Sequence, residues 1–418
     1  MTTDMTTMPT YELPAVVLDL DLADPLPAVP GHGPDGRRVR RAWVLVRRFT
    51  EPLGALLTDV PEEGLTPAAL AAAIEAELPG SSADRGRESA FLAGRRAVLA
   101  TAPHITVVIC TRERPGALAR CLDSLIAQQY PDFRILVVDN APETTATSEV
   151  VHSAARRGPV DYLLEPRAGL SFARNTAVRS APGEILAWID DDEVADPHWL
   201  AEVARALDEH PDADVISGVI VPAELETQAQ LWFEQFGGHS KGRGFRPAVF
   251  SPETAHLQSP LYPLPPFGTG ANMTFRPGVI ERIGMFDTAL GAGTPAMGSE
   301  DTLAFTQVLL MGGKIVYQPT AVTHHYHRRD LAGLRKQMVG YGTGLVAAYT
   351  SLLMARPGVF WGLLKLVPGA LRELTGKDTA RMATIEDDFP RELLAANRRG
   401  MLAGPRAYLR GRRAARRR

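Results

Sequence analysis

Cysteine is nearly absent: Cys110 and Cys121 are the only two in 418 residues, and they form no CxxC pair. A disulfide-stapled framework is therefore excluded, and a reducing, cytoplasmic compartment is expected. Lys and Arg are missing before Arg37, while Asp4, Glu12, Asp19, Asp21 and Asp24 are acidic. A secretory leader begins basic and turns apolar, so export is not expected. Acids are missing after Glu392, where nine arginines follow. No uninterrupted apolar run reaches the ~20 residues of a simple membrane span. Net charge is only −3, so no basic surplus points to a nucleic-acid partner, and none is expected.

What is present reads as several parts. Residues 1–36 are Pro-rich and acidic with little periodicity, and are expected to be disordered. Residues 37–100 read as a small β-β-α unit: a strand at 42–46 (AWVLV), a turn at Pro52-Leu53-Gly54, a return strand, and a helix at 66–78. Thr66 is the expected N-cap of that helix, with Pro67 at its first position. Residues 101–330 read as the main domain, 331–397 as a helical region and 398–418 as a basic tail.

The main domain opens with ITVVIC at 105–110, a continuous apolar run of the kind buried on both faces of a parallel sheet. Residues 115–129 follow as a helix, with Leu118, Cys121, Leu122, Leu125 and Ile126 on one face. RILVVD at 134–139 is a second buried strand, which completes a βαβ unit. A helix at 169–180 and the strand ILAWI at 185–189 lead directly into Asp190. Open α/β sheets bind ligands beyond the carboxyl ends of their strands, and Thr111, Asp139 and Asp190 each stand at such an end.

The strongest chemical signal is Asp190-Asp191-Asp192-Glu193. Four successive acids repel, so a buried strand end tolerates them when a cation or hydrogen-bond donors compensate. Hard oxygen ligands suit Mg²⁺ or Mn²⁺. An acidic loop capping the next helix is the structural alternative.

Five stretches carry a resemblance: VVICTRERPGALARCLDSLIAQQYPDFRILVVDN, GLSFARNTAV, ILAWIDDDEV, GTGANMTFRP and GSEDTLAF. In this order they resemble glycosyltransferase family 2, inverting enzymes of GT-A fold, here with N- and C-terminal extensions. The resemblance implies a Rossmann-like, mostly parallel α/β sheet with flanking helices. It places a divalent metal at Asp190 to Asp192, with Asp192 the first ligand and Asp190 near the ribose or the metal. It assigns the nucleotide base to Asp139 and donor contacts to Thr111, Arg112, Glu113, Arg174, Asn175 and Asp191. The ED element supplies the catalytic base, Asp301, with Glu300 as a neighbour able to raise its pKa.

The residues support that mapping on their own chemistry. A carboxylate at Asp139 can accept the imide N–H of uracil or thymine, which favours UDP- or dTDP-sugars; a turn aspartate is the alternative. Arg112, Arg114 and Arg174 are able to offset diphosphate charge. The turn at Gly270 can admit sugar or acceptor, with Asn272 hydrogen-bonding it. His325 and His327 alternate on one strand face, so His325 is a further metal candidate; surface histidines are the other reading.

The C-terminal third has 18 uncharged residues from Met338 to Ala355, interrupted afterwards by Arg356 and Pro357. Interfacial helices backed by the arginine tail, at an anionic membrane surface on the inner face of the plasma membrane, are one reading; a soluble helical cap is the other. The function expected is transfer of a sugar from a nucleoside diphosphate to a hydroxyl acceptor on a cell-envelope glycan or lipid carrier. Two rivals are a nucleotidyltransferase that makes the sugar nucleotide and a non-catalytic sugar- or nucleotide-binding protein. The first ordinarily needs a glycine-rich, lysine-bearing loop where Thr111 to Pro115 stands. The second needs no positioned base.

Overall fold

The computed structural model describes residues 12–81, 87–239, 243–254, 267–375, 385–386 and 388–417. The N-terminal unit is a three-stranded sheet, β1 (Glu12–Asp21), β2 (Arg38–Arg48) and β3 (Glu51–Asp59), with β1 parallel to β2 and β3 antiparallel. Helix α1 (Pro67–Glu77) packs on it, and the Thr66 hydroxyl caps it by accepting from Ala69 N at 3.2 Å.

Two expectations are corrected here. Residues 12–21 are a strand, because composition averaged away a period-two alternation. Val16, Leu18 and Leu20 enter the unit's own core, while Ala15 and Val17 face Leu225 and Leu231 of the main domain. Pro14 is tolerated because β1 is an edge strand. The hairpin turn is Phe49-Thr50, before the expected Pro52-Leu53-Gly54, with φ of 50° and 67°. Neither residue is glycine, and the turn is held by Asp21, whose carboxylate accepts from Phe49 N at 2.9 Å and Thr50 N at 2.7 Å. Arg47 ties this unit to the main domain, pairing with Asp19 and, at 2.9 Å, with Asp196.

After α2 (Arg87–Ala100) the chain alternates strand and helix: β4 (Ile105–Thr111), α3 (Pro115–Ile126), β5 (Phe133–Asn140), α4 (Ala146–Ala154), β6 (Val160–Glu165), α5 (Leu170–Ser180) and β7 (Ile185–Ile189). The pairings β7-β4-β5-β6 are all parallel. This is the half that the buried apolar runs announce. Then come β8 (Glu193–Ala195), α6 (Trp199–Glu209), β9 (Val215–Pro222), α7 (Gln228–Gln235), β10 (Ala248–Phe250), β11 (Asn272–Phe275), α8 (Val279–Arg282), α9 (Glu300–Leu310) and β12 (Ile315–His325). They complete a nine-stranded sheet ordered β10-β12-β9-β11-β7-β4-β5-β6, with β8 beside β12.

The α/β class is as expected, but this second half is largely antiparallel. β11 runs against both β7 and β9, and β8 and β10 run against β12. GTGANMTF contains β11 itself, at Asn272–Phe275, and leads on to α8. The antiparallel insertion places Gly270 opposite the carboxyl end of β7, where the acids begin.

Among the described residues the long helices after the sheet are α10 (Leu331–Ala355), α11 (Phe360–Thr375) and α12 (Arg391–Ala415). α10 and α12 cross backbone to backbone. A Cβ on Gly400 would stand 2.2 Å from Val339 O, and one on Gly342 would stand 2.0 Å from Asn397 O. Asp287 anchors the pair by accepting from Ser351 at 2.5 Å and Tyr408 at 3.0 Å. Among the described residues α10 is the one helix long and apolar enough to cross a membrane, and half of it is buried against protein. The arginines expected to form a basic tail belong to α12, up to Arg413.

Candidate active site

The site assembles where β4, β5 and β7 end. Asp191 turns inward. It accepts from Thr111 Oγ1 at 2.7 Å and is paired with Arg114. Burial, with Asp192 adding to it, pushes its carboxyl up to about 7 against the pull of Arg114 and Thr111. Asp192 divides its oxygens: Oδ2 accepts from Arg114 Nη2 at 2.7 Å, and Oδ1 faces His325 Nε2 at 3.5 Å. Burial raises its pKa, but His325 and Arg114 outweigh burial and hold it well below the usual carboxylate range. Asp190 is the open member of the three, with 41% of its side chain exposed into the crevice.

Arg174 closes the floor. It is 2% exposed, pairs with Glu300 at 3.1 Å, donates to Gly270 O at 3.0 Å and stands 3.9 Å from Asp190. Its guanidinium also lies over the Trp188 and Phe286 rings. Glu300 is buried, and burial raises its carboxyl to about 7, with Asp301 adding and Arg174 opposing. Asp301 is half-buried at the first turn of α9, where Oδ2 accepts from Gly270 N at 2.6 Å and Oδ1 from Thr302 N at 2.6 Å. Ser299 before it holds φ of 64°, a left-handed conformation that costs a non-glycine residue about 1 kcal/mol or more.

Asp139 is fully buried at the end of β5. Its Oδ2 accepts from Tyr162 at 3.0 Å. Burial, reinforced by Glu113, raises its carboxyl. The donor set of Asp190, Asp192 and His325 fits a divalent cation. Its members converge from two elements, and the 3.5 Å between Asp192 Oδ1 and His325 Nε2 is near the ~3.0–3.4 Å edge spanned by two ligands ~2.1 Å from one metal.

Four expected contacts are placed elsewhere. Arg112 donates to Glu143 at 2.9 Å on the surface. Glu113 accepts from Glu143 N, Thr144 N and the Thr144 hydroxyl, fastening the first loop to the approach of α4. Asn175 spends its amide on the Phe286 backbone, donating at 2.8 Å and accepting at 2.9 Å. Asn272 lies in the core: it accepts from Trp199 Nε1 at 3.0 Å and donates to Val219 O and Ala321 O. Asn175 and Asn272 are tethers with their amide atoms used, Glu113 fastens a loop and Arg112 commits one nitrogen to Glu143, because sequence order alone does not say which side of a strand or helix a polar residue faces. Arg114, in contrast, proves central, and its signal was its place three residues past β4.

Strand-end acids, the buried Arg174 beneath them and the Asp301 carboxylate are brought together at the carboxyl ends of these strands. Residues 106–284 match the family model described as Glycosyl transferase family 2, and this segment belongs to that family. Relatives include the succinoglycan biosynthesis protein ExoM of Rhizobium meliloti, 29% identical over 56% of this chain and 71% of that protein. Another is the glucosyl-dolichyl phosphate glucuronosyltransferase of Haloferax volcanii, 24% identical over 45% of this chain; the match spans only 57% of that relative. Mannosyltransferase PcManGT of Pyrobaculum calidifontis, solved with GDP-Man and Mn²⁺, is similar over 78% of this chain and 83% of its own, with 20% identity and a TM-score of 0.43.

Proposed function

We propose that the protein is an inverting, metal-dependent glycosyltransferase that moves a sugar from a nucleoside diphosphate to a hydroxyl acceptor. The observation that carries this reading is the convergence of Asp190, Glu300 and Asp301 around Arg174, with Asp192 beside His325 two residues beyond Asp190. Asp301 is the base. Its Oδ2 is held by Gly270 N, leaving carboxylate lone pairs for the acceptor hydroxyl proton as that oxygen attacks the anomeric carbon. Asp192 and His325, with Asp190 alongside, hold Mn²⁺ or Mg²⁺, which when bound stabilises the charge developing on the leaving diphosphate. Asp139 receives the base imide, which favours a UDP- or dTDP-sugar. Arg174 keeps Glu300 and Asp301 in place from below.

The acceptor side is read from two sources. The relatives' names point to polysaccharide and to dolichyl-phosphate-linked sugar, so a glycan or lipid-linked hydroxyl is proposed. The second source is α11: Phe360, Trp361, Leu364 and Val367 are exposed, Trp361 at 69%, close to the arginine-rich α12. A Trp-bearing apolar face with basic neighbours suits the interface of an anionic membrane, and a cytoplasmic enzyme peripheral to the inner leaflet follows.

The test is hydrolysis of UDP-, dTDP- and GDP-sugars with Mn²⁺ or Mg²⁺ by wild type, Asp192→Ala and Asp301→Asn. Metal-dependent release of one diphosphate, lost in Asp192→Ala, is expected. Transfer to an alcohol acceptor should be lost in Asp301→Asn while donor binding survives. Absence of both donor turnover and nucleotide binding in wild type refutes the proposal.

A further inference from the structure

Four side chains form a line from α7 to the acidic cluster. Glu234 Oε1 lies 2.8 Å from His327 Nε2, His327 Nδ1 lies 2.8 Å from His325 Nδ1, and His325 Nε2 lies 3.5 Å from Asp192 Oδ1. Both imidazoles are buried. The two ends of the line are carboxylates, which accept. His327 Nε2, 2.8 Å from Glu234, and the two Nδ1 atoms, 2.8 Å from each other, stand at hydrogen-bond distance, so both rings are held from the side away from Asp192. His325 Nε2 is the ring nitrogen left facing the Asp192 carboxylate, at 3.5 Å.

We infer that Glu234 and His327 are positioning residues that fix the tautomer and ring orientation of His325, presenting its Nε2 lone pair to the metal held with Asp192. This rests on the metal assignment proposed above. The surroundings fit a fixed ring pair. Phe233, the neighbour of Glu234 on α7, stands edge-on to His327 at 4.6 Å, and the His239 ring lies 4.3 Å from His325. Tyr326 N donates to Asp192 O at 2.9 Å, which locks the end of β12 to the acidic turn. Outer partners of this kind ordinarily change metal affinity by about 10–100-fold when removed.

The experiment is titration of the full-length protein with Mn²⁺ alone, free Mn²⁺ being read by its electron paramagnetic resonance signal, with thermal midpoints in parallel. His327→Phe keeps a planar ring but has no nitrogen to hold His325 Nδ1. His327→Asn offers an amide oxygen near the lost Nδ1. The expected result is about 10–100-fold weaker Mn²⁺ binding in His327→Phe, recovery to within about threefold in His327→Asn, and similar midpoints for the two. Glu234→Ala should weaken Mn²⁺ binding in the same direction. Equal Mn²⁺ affinity in wild type and His327→Phe, while Asp192→Ala abolishes binding, overturns the relay and leaves the metal site standing. Unchanged affinity in Asp192→Ala, or no binding by wild type, overturns the metal assignment and the relay with it.

Discussion

Removing the Arg174 guanidinium, as in Arg174→Met, should cost stability in a pH-dependent way. Breaking a buried ion pair by taking one partner ordinarily costs about 3–5 kcal/mol, because the other charge is left without compensation. Here the remaining partner has an escape. Glu300 titrates at about 7 even with Arg174 beside it, so without the arginine it takes up a proton and avoids standing as a bare anion. The loss at pH 6 should therefore lie near the lower end of that range, from the lost contacts to Gly270 O and to the Trp188 and Phe286 rings. At pH 8.5 holding Glu300 neutral means taking a proton from scarcer supply, and the loss should approach the upper end. A domain of this size shifts by roughly 2–4 °C per kcal/mol, so the melting midpoint should fall by roughly 10 °C, and by more at pH 8.5 than at pH 6. Arg174→Met with Glu300→Gln should recover most of the difference, since both charges are then gone. Thermal unfolding of the three proteins at the two pH values is the assay. Equal deficits at pH 6 and 8.5, or a double variant no better than the single one, would refute the coupling.

Gly270→Ala should damage turnover more than folding. Its Cβ would stand 2.7 and 2.9 Å from the Arg174 nitrogens and 2.9 Å from Asp301 Cβ, so the proposed base must shift. A displacement near 1 Å ordinarily costs about 10²-fold, to be read as kcat with circular dichroism as the control. Glu300→Gln tests the buried carboxyl by itself. Its folded-state pKa of about 7 lies above the ordinary 4.5, so its neutral form contributes stability that is complete below pH 4.5 and lost as pH rises through 7. The midpoint of the Gln variant relative to wild type should rise across pH 5–7.5; a flat difference refutes the assignment. Gly400→Val should separate α12 from α10, because a side chain there meets Val339 O at 2.2 Å. Limited proteolysis should then cut the C-terminal helices while the main domain survives.

How far the sequence reached depended on whether a residue's role followed from its own neighbourhood. The parallel half of the sheet was legible because buried strands write continuous apolar runs, and β4, β5 and β7 all do. The acids at 190–192 were legible because their repulsion demands an explanation wherever they sit. β1 was not, since the acids and prolines around it hide the alternation of Val16, Leu18 and Leu20 until one knows that a sheet stands beside it. Asn272 and Asn175 show the harder limit. A buried asparagine satisfied by Trp199 Nε1 and two carbonyls is indistinguishable, in one sequence, from an asparagine reaching for a sugar. Position in a motif names a neighbourhood, and hydrogen-bond accounting decides which way the side chain faces. The same accounting works in the other direction for His325. Its motif neighbours say nothing about Glu234, 91 positions earlier, yet hydrogen-bond distances running from Glu234 through His327 hold the His325 ring and leave its Nε2 facing Asp192. That nitrogen lies beside the strand-end acids, where the sequence asked for a cation.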